Sequence, residues 1–153
     1  MKPCTFDESL TLAEVACAQH INKVTGMTVR VAVNKGDPDC AVFDIGYLAT
    51  GEHMTYSASA YHFRAKLDIY RRTRDEVQLA IMRLLDSFPI NADTNADADL
   101  RENSNVITFR MSPQTQGISE TTTCDVQQVK DAKPIPCWTA TALFDVVFRA
   151  RFD

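Results

Sequence analysis

The last sixteen residues, WTATALFDVVFRARFD (138–153), constrain this chain more than any other stretch. Every even position from Trp138 to Phe152 is apolar. The odd positions Thr139, Thr141, Asp145, Arg149, Arg151 and Asp153 are polar, and Leu143 and Val147 interrupt them. Period-two alternation of this length predicts a half-buried β-strand. At roughly 3.3 Å per residue the strand reaches about 50 Å. A compact chain of 153 residues has a radius of gyration of about 15 Å and a diameter of about 40 Å. The strand must therefore curl, or carry one end out of the body to a partner. Leu143 and Val147 favour a partner, because apolar residues on an exposed strand face are normally suppressed unless they are used.

Upstream, Thr5 and Glu8 form a capping box, and Phe6, Leu10, Ala13, Cys17, Ile21 and Val24 recur at helical spacing. This predicts a helix over 6–24, ended near Gly26. MTVRVAVN and CAVFDIGYL read as two strands, and the turn chemistry of KGDPD between them predicts a hairpin. A second long alternating strand follows in SASAYHFRAKLDIYRR, with Tyr61, Phe63, Ala65, Leu67 and Ile69 on one face. Thr73 and Glu76 then cap a helix whose stripe is Val77, Ala80, Ile81, Leu84, Leu85 and Phe88, stopped by Pro89. A polar loop over 91–104, a short strand NVITFRM and a long loop over 112–137 complete the order. The pattern predicts a single α+β domain over 1–153: an antiparallel or mixed sheet with long curved strands and helices packed on one face. FRAKLD (63–68) and FRARFD (148–153) echo each other, and side by side they would set arginine against aspartate.

The totals exclude several function classes. A net charge of −4 with interspersed signs argues against a binder driven by phosphate neutralisation. No apolar run approaches a membrane span, and MKPCTFDESL lacks the apolar core of a signal peptide. Five cysteines without a C-x-x-C pair suit reduced thiols in a cytosolic product rather than disulfides or zinc. The Asp-rich NADTNADADL lacks the glycine and terminal glutamate of a calcium loop. Phosphate-loop, zincin and nucleophile-elbow motifs are missing too, so no catalytic, cofactor-binding or metal-binding residue is expected. His53 or His62 meeting Asp44 or Asp68 is the nearest approach to an acid–base pair. A basic cluster stands out instead. Arg64, Lys66, Arg71, Arg72 and Arg74 lie on or after one long strand, with Arg149 and Arg151 on the other. If the strands are neighbours, one end of the exposed sheet face is positive.

The segments FRAKLDIYRRTRDEVQLAIMRLLDSF and FDVVFRARF, with the first helix in a compatible place, make the chain resemble the tail terminator (tail completion) proteins of long-tailed bacteriophages. The resemblance follows the element order over most of the chain, and the motif-level match covers about a quarter of it. It implies a structural virion component, made in the host cytoplasm, that forms a hexameric ring on the head-proximal end of the tail tube. The ring stops tube polymerisation and joins the tail to the head connector. DNA passes through its lumen without specific binding, and no enzyme activity or cofactor is implied. The implied partners are further copies of the chain, the tail tube protein and the connector or neck protein. Subunit contacts are expected at Leu143, Val147, Arg64, Lys66, Arg71, Arg72, Arg149 and Arg151. A neighbouring role, as another neck or head-completion ring, explains the same features. The competing class is a ligand-binding or isomerase-like α+β domain. Its pocket would be lined by Trp138, Phe144, Phe148, Tyr61 and Phe63, with His62 or Asp68 as base.

Overall fold

The structure is a computed structural model, and it describes residues 6–31, 39–45, 54–57, 60–88, 100, 102, 104–123 and 135–149. Helix α1 (Phe6–Thr25) opens the chain. Its Ala13, Cys17 and Ile21 are fully buried, as the helical spacing predicts, whereas Val24 at the end of the stripe is exposed. Gly26 stops the helix at φ +77°, the left-handed conformation that glycine adopts without steric cost. Its N–H donates to the carbonyl of Asn22. The capping box at Thr5 lies outside the described residues.

Two short strands follow, β1 (Thr28–Val31) and β2 (Cys40–Asp44). They are adjacent but parallel, with Thr28 opposite Cys40 and Val31 opposite Phe43, so the expected hairpin is not formed. The connection over 32–39 has to return only the length of a four-residue strand, about 13 Å, which eight residues easily span. A turn-rich linker therefore serves a parallel pair as well as a hairpin.

Strand β3 (Met54–Ser57) and the long β4 (Ala60–Arg71) come next, and helix α2 (Arg74–Ser87) starts immediately after β4. The Thr73 hydroxyl accepts from the Glu76 N–H at the N-cap, as the sequence predicts. Val77, Ala80 and Leu84 are buried. Strand β5 (Val106–Thr123) pairs with β6 (Ile135–Arg149). Residues 112–123 thus continue β5, and 135–137 begin β6, where a loop was expected.

The sheet order is β1-β2-β4-β6-β5, with β3 sharing an edge of β4 with β2. All pairs other than β1–β2 are antiparallel. The β4–β6 ladder runs from Ala60 opposite Arg149 to Arg71 opposite Trp138. Beyond it, Ile135 to Cys137 pair with β5 alone. From Trp138 to Phe148 the long terminal strand therefore lies inside the sheet, between two long partners. The echoing segments do not pair, since Phe63 stands opposite Val146 and Phe148 opposite Tyr61, yet Arg64 still faces an aspartate, Asp145.

Both helices cover one face. Phe63, Ala65, Leu67 and Ile69 of β4 and Ala142, Phe144, Val146 and Phe148 of β6 are buried beneath them in one core with Ile21 and Leu84. At its centre Phe109 and Phe144 lie 4.8 Å apart, and Phe88 meets them edge-on at 5.3 and 5.4 Å. Such pairings add to the burial of large apolar area. Asn105 ties three elements at one end: its side-chain amide donates to the carbonyls of Ser9 and Arg149, 2.9 Å each. The fold is thus α+β, a mixed sheet with helices α1 and α2 on one side.

Candidate functional site

The other face of the sheet carries the residues that the sequence singles out. Alternation sends His62, Arg64, Lys66 and Asp68 of β4 there, beside Thr141, Leu143, Asp145 and Val147 of β6. No described helix covers them: the buried residues of α1 and α2 belong to the core on the opposite side. Leu143 stands opposite Lys66 and Val147 opposite His62, and all four are half-buried. Two apolar side chains thus sit among charged groups in the middle of this face.

Asp145 organises one half of this face. Its carboxylate lies 3.2 Å from the His62 Nε2 and 3.8 Å from the Arg64 Nε, and Arg110 of β5 is its opposite neighbour. Asp68 organises the other half, pairing with Lys66 Nζ at 3.2 Å and accepting from the Thr141 hydroxyl. These pairs are partly exposed, so each contributes about 1 kcal/mol or less. Their larger effect is to hold long side chains in place around Leu143 and Val147. His62 therefore meets Asp145 instead of Asp44 or Asp68, while His53 lies outside the described residues.

The basic residues do not form one positive end. Because β4 and β6 run antiparallel, Arg149 aligns with Ala60 while Arg71 aligns with Trp138, about 36 Å along the ladder. Arg71 is turned off the open face. It donates from Nη1 to the carbonyls of Cys40 and Tyr70, and partial burial lowers its pKa. Arg72 pairs with Asp39 at 3.3 Å. Arg74 is exposed at the start of α2. Arg151 lies outside the described residues, as does the Asp-rich stretch over 91–99. The structure brings Arg64 and Lys66 together with Leu143 and Val147, and leaves Arg71, Arg72 and Arg149 at the two ends.

A small second cluster lies on this face, where Val42, Tyr70 and Cys137 are buried together. Burial, with help from the Asp68 charge, pushes the Tyr70 phenol up to about 12. The sequence hides this cluster, because Tyr70 and Cys137 occupy positions that alternation assigns to the polar side. Of the aromatic residues in the competing reading, Phe63 and Phe148 stack at 5.7 Å with Tyr61 tilted against Phe148 at 5.8 Å, Phe144 lies in the core, and Trp138 lines a cleft at the other end of the ladder. Among the described residues no group of three or more His, Cys, Asp or Glu is placed to hold a metal ion. No helix among them is long and apolar enough to cross a membrane.

Apolar exposure also appears on the helical layer. Leu79 and Met82 of α2 are 59% and 55% exposed, and Leu85, expected in the buried stripe, is 36% exposed. The helical spacing assigned the core stripe correctly at Val77, Ala80 and Leu84 but carried no warning of these outward residues. The chain matches no protein-family model and no curated protein sequence.

Proposed function

We propose that this protein is a structural ring subunit, the tail terminator of a long-tailed bacteriophage tail. In this reading it sits at the head-proximal end of the tube, stops tube growth and presents a docking surface to the head connector. One observation carries the proposal: the face of the β4–β6 ladder that no described helix covers holds Leu143 and Val147 inside a frame of fixed charges. Apolar side chains ringed by ordered polar groups are what a subunit interface needs, an apolar centre with a polar rim. A ring further requires a contact that repeats head-to-tail and closes. The lumen would pass DNA without gripping it, in keeping with the net charge of −4.

The test is the mass of the purified protein in solution, measured by light scattering at micromolar concentration. A closed species near six subunits is expected, and Leu143→Glu or Val147→Glu should reduce it to monomers with unchanged circular dichroism. A chain that stays monomeric and also leaves purified tail tubes uncapped overturns the reading. Unfolding of both glutamate variants would instead assign Leu143 and Val147 to the core.

A further inference from the structure

A cleft of about 520 Å³ opens where β6 runs past the end of β4, lined by Arg72, Glu120, Thr121, Pro136, Cys137 and Trp138. The volume lies in the range of sites that take a small group. Arg71, Trp138 and Glu120 stand directly opposite one another on β4, β6 and β5, so their side chains leave the sheet on the same side. Both arginines beside the cleft are committed. Arg72 is 3.3 Å from the Asp39 carboxylate. Arg71 is drawn toward β2 by the carbonyls of Cys40 and Tyr70, at 3.0 and 2.8 Å. Glu120 is exposed and has no hydrogen-bond or ion-pair partner among the described residues.

A carboxylate with no counter-ion among the described residues, beside a half-buried indole, favours a cation. Ammonium and guanidinium differ here. A guanidinium can lay its plane on the indole ring and turn its forked N–H groups to the carboxylate, whereas an ammonium offers no plane to stack. We propose that this cleft receives an arginine side chain from a partner polypeptide, stacked on Trp138 and bonded to Glu120. Arg72, held by Asp39, forms the far wall. The site is remote from Leu143 and Val147 and does not depend on the ring reading.

Trp138 is the chain's single tryptophan, so its fluorescence reports this cleft alone. The experiment titrates the full chain with an acetylated, amidated tri-arginine peptide. The neutral tri-citrulline analogue and a tri-lysine peptide serve as comparisons. A saturable change in fluorescence is expected with tri-arginine, weaker with tri-lysine and missing with tri-citrulline. Glu120→Gln should weaken the tri-arginine response about tenfold, the value of one charge-assisted hydrogen bond. Because Glu120 is exposed, that variant should fold normally, and circular dichroism checks it. No saturable change, an equal response to tri-citrulline, or an unchanged affinity in Glu120→Gln overturns the proposal.

Discussion

Glu14 is a residue whose ionisation the fold works against. Its carboxylate on α1 accepts the backbone N–H of Ile45 at 3.1 Å, just past the end of β2. Burial nevertheless raises its pKa above the ordinary 4.5, and the Asp44 charge adds to the rise. Between the unfolded and the raised native value the native state binds more protons, so stability falls as pH climbs through that window. Glu14→Gln keeps an acceptor for Ile45 and removes the titration. Its stability relative to wild type should therefore improve as pH rises above the ordinary carboxylate range, measured by urea unfolding at each pH. Parallel profiles for the two proteins would show that burial does not oppose the charge. Nothing in the sequence marks this contact, since thirty-one positions separate Glu14 from Ile45. By contrast, Leu143 and Val147 were legible as residues because they break an otherwise regular alternation. Their neighbours Asp145 and Thr141 became legible only once the register was known.

Among the elements, β4 and α2 show what local chemistry can specify. Apolar alternation sets β4, and the Thr73 hydroxyl with the Glu76 N–H sets the first turn of α2. Thr73→Ala should cost about 1 kcal/mol and Thr73→Ser almost nothing, read as shifts in the midpoint of chemical unfolding. An equal loss in both variants would point to the threonine methyl group instead of the cap. Strand β5 shows the opposite case. Its register slips between Val106 and Thr108, between Met111 and Thr115, and between Gln116 and Ser119. Each slip resets the alternation that a strand reading depends on. Past Met111 the strand borders β6 near the end of the helical layer, and QTQGISETTT carries no apolar face to read. The parallel β1–β2 pair was illegible for another reason: strand direction is a property of the connection's path, which turn residues alone do not determine.

At the scale of the molecule, the helices α1 and α2 lie on one face of the sheet, and no described helix covers the second. On that second face Leu143 and Val147 sit half-buried among charged groups, beside the buried cluster of Val42, Tyr70 and Cys137. The ring reading makes a claim about symmetry that mixing can test. In a head-to-tail ring each contact joins the sheet face of one subunit to a different surface of the next, while a two-fold dimer joins like to like. A Leu143→Glu subunit keeps its other surface intact. It can therefore occupy the sheet face of a wild-type neighbour and end the chain there. Equal mixing should then lower the yield of closed rings far below half, because a random six-membered ring is free of the variant in only about one case in sixty. Open arcs and small oligomers should take their place in sedimentation profiles. In a two-fold dimer the spoiled subunit cannot pair at all, and wild-type dimers would persist at the level set by their own concentration. Persistence of the wild-type assembly in the mixture would thus exclude a head-to-tail contact through Leu143, whatever its mass.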